Sequence, residues 1–211
     1  MKRYWAELIG SFILVFVGTG AIMINDITGQ VTNLGIGLSF GLVVMVVIYS
    51  IGDISGAHIN PAVTIAFWIS KKFEGKDVIF YVLFQIIGAV LASCMLYFIL
   101  PESNTMGETL VKDGNWIQSF ILEFFLSLIL MFVILNVSTG SKEKGIIAGI
   151  SIGAVVAFEA IFAGPICGAS MNPARSIAPA IFGNASFLWV YIVATTLGAI
   201  SSVFVYKLIK N

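Results

Sequence analysis

Two stretches of this chain carry the tripeptide Asn-Pro-Ala in an apolar setting: SGAHINPAVT at 55–64 and CGASMNPARS at 167–176. Asparagine is a preferred N-cap residue, and proline suits the first helical position because its missing N–H costs nothing there. We therefore expect Asn60 and Asn172 to begin two helices. A capping asparagine accepts a backbone N–H through its side-chain oxygen and keeps its amide NH2 as a donor. Two such donors that face each other can hold one water molecule by its oxygen.

The starts of two facing helices also repel cations. Each helix N-terminus carries roughly +0.5 charge. At an effective dielectric of about 20, a cation about 5 Å away is repelled by about 1.7 kcal/mol. Two helix starts give about 3 kcal/mol, and stripping water from an ion adds several kcal/mol more. A neutral molecule that keeps two hydrogen bonds avoids most of this cost, so the pair predicts a passage for small uncharged molecules.

Only the second copy of the motif adds a charge. Arg175 lies three residues after Asn172 on the same face of the helix, where the first copy has Val63. An always-ionised guanidinium inside a membrane protein marks a polar pathway or a buried partner. We interpret Arg175 as part of a charged constriction. The alternative is an ion pair with Glu159 or Glu123.

The elements that must position these residues are membrane helices. Hydrophobic residues make up 59% of the 211 residues and charged residues only 10%, against roughly 25% charged in soluble domains. Continuous apolar runs of about 20 residues are long enough to cross a bilayer as helices and lack the alternation of barrel strands. The sequence thus predicts an all-α integral membrane protein. The predicted spans lie at about 4–24, 34–52, 78–100, 116–138, 145–164 and 186–208.

The chain also contains an internal repeat. Residues 36–63 align without a gap on 148–175 and bring the two tripeptides together. Further upstream, AELIGSFILVFV resembles LEFFLSLILMFV, which pairs Glu7 with Glu123. Each copy has three spans, so the second copy must enter the membrane inverted relative to the first. In inverted repeats, discontinuous helices meet near the bilayer midplane and point their N-termini at the substrate.

The segments that follow the tripeptides are predicted to be re-entrant half-helices. INPAVTIAFWISKK and MNPARSIAPAIFG are apolar but too short to cross a membrane. The sequence therefore predicts one membrane domain, a bundle of six transmembrane helices plus two half-helices. Its inverted repeats span about 1–100 and 116–211, with the loop 101–115 between them.

Composition and charge placement narrow the function classes. Eleven Lys+Arg balance eleven Asp+Glu, and no basic stripe suggests nucleic-acid binding. Cys94 and Cys167 have no spacing suited to a metal or a disulfide framework, and His58 is the only histidine. We expect no cofactor, no metal and no enzymatic activity. Basic residues at alternate ends of the spans predict cytoplasmic N- and C-termini, with clusters at 2–3, 71–76, 142–144 and 207–210.

The paired motifs, the six spans and the two intramembrane glutamates resemble the aquaporin or major intrinsic protein family over essentially the whole chain. The resemblance implies a homotetramer in the plasma membrane, with one pore per subunit for water or small neutral solutes. The stretch AGPICGASMNPARS is similar to the nodulin-like plant branch and its microbial relatives. The implied pore residues are Asn60, Pro61, Ala62, Asn172, Pro173 and Ala174.

The resemblance also implies an aromatic/arginine selectivity filter outward of the motifs, formed by Phe40, Ala160, Ala169 and Arg175. Strict water channels commonly have histidine at the position of Ala160, so two alanines leave a wider and less polar opening. Glycerol-type members usually have aspartate directly after the arginine. Here Ser176 stands there, as in water channels.

The resemblance gives the remaining polar residues supporting roles. Glu7 and Glu123 are implied to accept loop N–H groups as scaffolding. His58 has either a structural side chain or a pH-gating one, and Asp53 is either a solvated carboxylate or a gate. The resemblance gives no role for Glu159, which by its place beside Ala160 lines a vestibule, pairs with Arg175 or faces another subunit. Pore-lining backbone carbonyls are implied at Gly56, Ala57, His58, Gly168, Ala169 and Ser170.

The sequence therefore predicts a passive channel for water that excludes protons and ions and leaves a second small neutral solute open. The alternative is a glycerol- or metalloid-type facilitator. A coupled secondary transporter shares inverted repeats and broken helices. It would need carboxylates near the half-helix starts, and neither motif contains one.

Overall fold

The computed structural model describes residues 1–138 and 142–210, the side chains of 142–145 excepted. Within that part the chain is all-helical, without a β-strand, and a short 3-10 turn lies at Lys112–Gly114. The eight helices are α1 (Lys2–Thr28), α2 (Thr32–Ser55), α3 (Pro61–Ile69), α4 (Gly75–Ile99), α5 (Trp116–Val137), α6 (Lys142–Cys167), α7 (Pro173–Ala180) and α8 (Leu188–Lys210).

Six of these helices are long and apolar enough to cross a membrane, namely α1, α2, α4, α5, α6 and α8. The six predicted spans are confirmed, and several helices extend beyond the apolar run because their polar ends continue the same hydrogen-bond ladder. Large apolar side chains such as Leu38, Phe125 and Phe158 are exposed on the outside of the bundle. This outer surface suits a hydrocarbon environment, so the protein is a multi-pass membrane protein.

The helices form two sets with the same packing pattern. In the first set α1 packs against α2 and α4, and in the second α5 packs against α6 and α8. The two sets meet where α2 crosses α6. At this crossing a Cβ added to Gly153 would lie 2.6 Å from the carbonyl oxygen of Gly41. The backbones therefore approach closely only because both helices present a residue without a side chain.

The helices α3 and α7 are short, with nine and eight residues. Neither approaches the roughly 20 residues that a crossing requires. Each is seated in the opposite set, because α3 packs against α8 and α7 packs against α4. Helices of this length are unstable alone in water, so these two depend on packing and on their capped ends.

Candidate functional site

The two half-helices begin at the asparagines of the repeated tripeptide. Asn60 is the N-cap of α3, and its side-chain oxygen accepts from the backbone N–H groups of Ala62 and Val63. Asn172 caps α7 in the same way by accepting from Ala174 and Arg175. A proline follows each cap in the first turn. The predicted helix starts are confirmed.

Each cap also bonds to the opposite half of the molecule. The side-chain amide of Asn60 donates to the carbonyl oxygen of Met171 at 2.7 Å, and that of Asn172 donates to the carbonyl oxygen of Ile59 at 2.9 Å. An amide group has two hydrogens, so each asparagine retains one N–H for a ligand. The sequence did not single out Ile59 or Met171, and their only signal is their place directly before each asparagine.

The loops before the two half-helices have an alternating, strained backbone. Four non-glycine residues have positive φ, with values of 46° at Ala57, 42° at Ile59, 41° at Ala169 and 54° at Met171. The left-handed conformation costs a non-glycine residue roughly 1–2 kcal/mol. The equivalent positions in both loops share this strain, so the surrounding structure must stabilise both.

Two buried glutamates supply that stabilisation. Glu7 accepts from the backbone N–H groups of His58 at 3.0 Å and of Ile59 at 2.7 Å. In the second copy Glu123 accepts from Ser170 at 2.7 Å and from Met171 at 2.9 Å. Both carboxyl groups are fully buried. With their N–H groups bound in this way, the loops are free to turn their carbonyl oxygens toward the interior.

The His58 ring is held by its neighbours. Its Nδ1 lies 3.2 Å from the hydroxyl oxygen of Thr64, and the ring stacks on Phe67 with 4.7 Å between the ring centres. Gln85 donates to the same Thr64 hydroxyl at 3.0 Å and to Glu7 at 2.7 Å. The ring is therefore one member of a buried cluster behind the first loop.

A cavity of about 720 Å³ runs past both asparagines to Arg175. Residues of the two loops form one side of it, and Asp53 lies exposed at one end. Most of the predicted pore residues line it, namely Asn60, Asn172, Gly56, Ala57, His58, Ser170, Phe40, Ala169 and Arg175. The predicted residues that do not line it are Pro61, Ala62, Pro173, Ala174, Gly168 and Ala160. The lining also includes apolar side chains, among them Val44, Leu130, Ile134, Ile152 and Val156.

Arg175 is 1% exposed, and its side chain has one protein hydrogen bond, from Nη1 to the carbonyl oxygen of Gly107 at 2.8 Å. Its guanidinium carbon lies 5.2 Å from the centre of the Phe40 ring. Its Nε and Nη2 have no hydrogen-bond partner in the part of the chain that the structure describes. Both nitrogens are buried, and Arg175 lines the cavity.

The ion-pair alternative for Arg175 is wrong. Among the described residues, side-chain ion pairs occur only between Arg3 and Asp77 and between Lys76 and Glu74. Glu159 also departs from its expected roles. It is 1% exposed, which excludes both a vestibule and a subunit surface, and neither carboxyl oxygen has a hydrogen-bond partner within residues 1–138 and 142–210.

This arrangement matches a known family. The sequence profile of the family described as major intrinsic protein matches residues 1–206. The chain belongs to the major intrinsic protein family. Its relatives in this family include a probable aquaporin NIP-type of Nicotiana alata, which is 42% identical over 212 residues and is matched over 100% of this chain and 78% of its own length. Nodulin-26 of Glycine max is 38% identical over 212 residues, and the match covers 100% of this chain and 78% of that protein.

The fold is that of the family as well. The X-ray structure of the aquaglyceroporin from Plasmodium falciparum superposes with a TM-score of 0.88 over 98% of this chain and 95% of that chain, at 24% sequence identity. At this identity the likeness supports the fold alone. The aquaporin relatives are channel proteins rather than enzymes. This member of the major intrinsic protein family is accordingly a membrane channel of the aquaporin type.

Proposed function

We propose that the protein is a passive channel for water that also admits a second small neutral solute and excludes ions and protons. The observation that carries this proposal is the pair of asparagine caps. Asn60 and Asn172 each bond to the opposite loop and each retain one N–H beside the cavity. A water held by its oxygen between two donors turns its hydrogens away from both. Such a water cannot readily accept a proton from its neighbour.

In this proposal the repeated motifs form the centre of the pore and a filter lies beyond them. Phe40, Ala169 and Arg175 line the cavity at one end, and we assign Ala160 to the outer rim of the same constriction. The loop carbonyls at 56–58 and 169–170 serve as acceptors along the pore, and Glu7 and Glu123 act as their scaffold. The pore then lies between two inverted repeats, 1–100 and 116–211, of a single membrane domain.

The lining of the cavity supports a second solute. It combines apolar side chains with residues of the two loops, which carry carbonyl oxygens and amide donors. A small polyol suits such a lining because its hydroxyl groups can bond to the polar groups and its carbon chain can pack on the apolar side chains. Glycerol is therefore the first probe for a facilitator of the glycerol or metalloid type.

A coupled transporter is the rival of another class. Coupling to protons or cations requires a carboxylate that binds the ion on the transport path. Among the described residues that line the cavity, Asp53 is the only carboxylate; it is solvent-exposed and belongs to neither motif. We therefore propose uncoupled permeation, with neither catalysis nor a bound cofactor or metal. Solute flux that follows an imposed proton gradient would instead support the transporter.

We further propose that the channel lies in the plasma membrane as a homotetramer, with both termini in the cytoplasm. The basic chain ends support this orientation. Arg3 is paired with Asp77 at 2.8 Å, and the Lys72 amine lies 3.4 Å from the hydroxyl of Tyr206. The N-terminus, the start of α4 and the end of α8 therefore share one side of the bundle. That side carries the lysines that favour the cytoplasm.

The test is reconstitution of the purified full chain into liposomes, with stopped-flow measurement of shrinkage in sucrose and of re-swelling in glycerol. We expect water permeability well above that of empty liposomes, measurable glycerol entry and no rise in proton leak. Inserted, folded protein with no water permeability above empty liposomes would overturn the water claim. Water flux without glycerol entry would restrict the channel to water.

A further inference from the structure

The loop between the two halves of the chain reaches the charged constriction. This loop, 101–115, occurs once and has no counterpart in the repeat. Its residue Gly107 supplies the carbonyl oxygen that accepts from Arg175 Nη1 at 2.8 Å. That bond is the one hydrogen bond between a protein acceptor and the Arg175 guanidinium among the described residues. The position of the loop therefore bears directly on where the charge lies.

Gly107 itself is wedged against α1. It has a positive φ of 64°, and a Cβ at this position would lie 2.8 Å from both Cβ and the carbonyl oxygen of Thr19. The residue before it, Met106, is buried and packs with Met23 and Leu96. Any side chain at residue 107 would push the loop outward, so only glycine lets the carbonyl approach Arg175.

A second attachment lies two residues further along. Thr109 is 7% exposed, and its hydroxyl donates to the hydroxyl of Ser176, which directly follows Arg175. The distance between these oxygens is 3.0 Å. The chain of hydroxyl groups continues from Ser176 to Ser170 at 2.5 Å and from Ser170 to the carbonyl oxygen of Asn172 at 2.9 Å. The loop is thereby joined to the half-helix that carries the arginine.

In the first half of the molecule, the equivalent hydroxyl group has a different kind of partner. There Thr64 takes the place of Ser176 in the repeat, and its hydroxyl is held by Gln85 of α4 at 3.0 Å. Gln85 belongs to a transmembrane helix and is fully buried. In the second half the outer partner comes from the loop instead. A fixed helix residue in one copy is replaced by a residue whose position depends on how the loop is seated.

We propose that Thr109 is a positioning residue of the constriction, whose hydroxyl bond to Ser176 holds the Gly107 carbonyl against Arg175 and so limits the entry of solutes larger than water. This inference rests on the proposed function, because it assumes that neutral solutes pass Arg175. Without the bond, the loop and the guanidinium gain freedom, and the opening widens on average. Water, which already fits, gains little from the wider opening, whereas glycerol gains more.

The experiment compares Thr109→Val, which removes the hydroxyl, with Thr109→Ser, which keeps it. Full-length protein is reconstituted, and the ratio of glycerol to water permeability is measured by stopped flow. We expect Thr109→Val to raise this ratio about fivefold, the factor that loss of one ordinary hydrogen bond carries. Thr109→Ser should keep the ratio of the unmodified chain. A role confined to folding would lower both permeabilities together and leave the ratio unchanged.

The matched control is Thr195→Val. Thr195 is also buried, but its hydroxyl donates to the carbonyl oxygen of Tyr191 within its own helix α8. This variant should leave the ratio unchanged. If Thr109→Val does not fold, Ser176→Ala breaks the same bond from the other side and should raise the ratio as well. An unmodified channel that passes water, with the same ratio in folded Thr109→Val or Ser176→Ala, would overturn the proposal while leaving the proposed function in place.

Discussion

The side-chain amide of Asn60 donates to the carbonyl oxygen of Met171 across 2.7 Å, and this bond joins the two halves of the chain beside the cavity. Asn172 makes the reciprocal bond to Ile59 at 2.9 Å. Each asparagine thus caps its own half-helix with its oxygen and ties the opposite loop with its nitrogen. Because both polar atoms are engaged, the amide cannot flip, and its remaining N–H has a fixed direction.

This double use of Asn172 predicts what an aspartate would do at the same position. Aspartate is as good an N-cap as asparagine, so Asn172→Asp keeps the acceptor for α7. It loses the donor to Ile59 and adds a negative charge beside the two helix starts. A unit charge about 5 Å from a cation at an effective dielectric of about 20 contributes about 3 kcal/mol. We expect potassium leak through liposomes to rise on the order of a hundredfold.

The control for this substitution is Asn184→Asp. Asn184 is exposed in the loop before α8, and its side-chain oxygen accepts from the backbone N–H of Ser186 at 2.8 Å. The same change of charge there, away from the cavity, should leave the potassium leak at the level of the unmodified channel. Equal leak in both variants would mean that Asn172 does not face the permeating species.

The carboxyl group of Glu7 predicts that Glu7→Gln, a nearly isosteric substitution, destabilises the protein. Glu7→Gln replaces one acceptor oxygen with an NH2 group, so that a donor meets the N–H of His58 or Ile59. A buried donor left without an acceptor costs about 1–3 kcal/mol. We expect a lower midpoint of thermal unfolding in detergent and reduced water flux. The exposed Glu102 provides the control, because Glu102→Gln should leave the midpoint unchanged. An unchanged midpoint in Glu7→Gln would show that the loop does not depend on this carboxyl.

The helices and the half-helix starts could be read from the sequence because each leaves a local signal. Apolar runs fix the length of a membrane helix, and the Asn-Pro pair fixes where a half-helix begins. The bond between Asn60 and Met171 leaves no such signal. A repeat says which residues are equivalent in the two copies, but it gives no distance between one copy and the other.

The sequence marks Arg175 as a special residue but does not suggest its hydrogen-bond partner. The repeat marks Arg175 as an asymmetry because Val63 stands in its place. Its partner Gly107, however, lies in the loop that has no counterpart, so no internal alignment can suggest it. The sequence leaves the role of Glu159 open for a related reason. An acid in an apolar run predicts a functional role by default, yet in the described structure it is buried away from both Arg175 and the cavity.

The charge of Arg175 predicts that ion leak is higher in Arg175→Ala than in Arg175→Lys. Arg175→Ala removes a unit charge that raises the free energy of a cation about 5 Å away by about 3 kcal/mol at an effective dielectric of about 20. Proton and cation leak should then rise on the order of a hundredfold. Arg175→Lys keeps the charge but loses the planar fork, so its leak should stay within a few-fold of the unmodified channel. Equal leak in both variants would show that shape, and not charge, excludes ions.

Glycine allows close contact where α1 crosses α4 and, in the second half, where α5 crosses α8. A larger residue at either crossing should destabilise the protein. A Cβ added to Gly88 would collide with the carbonyl oxygen of Leu8, and one added to Gly198 would collide with that of Phe124. These atoms belong to helix backbones and cannot move aside as a flexible side chain can. Crowding of this kind costs about 1–3 kcal/mol, which exceeds the gain of up to about 1 kcal/mol from replacing glycine by alanine in a helix.

We therefore expect Gly88→Ala and Gly198→Ala to lower the midpoint of thermal unfolding in detergent by similar amounts. Gly52→Ala is the matched control, because its added Cβ would meet only Ile48 at 4.0 Å. Without a clash, this variant retains only the helix-forming gain, and its midpoint should stay level or rise. A large loss in one half with none in the other would contradict the equivalence of the two crossings. It would also count against the proposed inverted repeat.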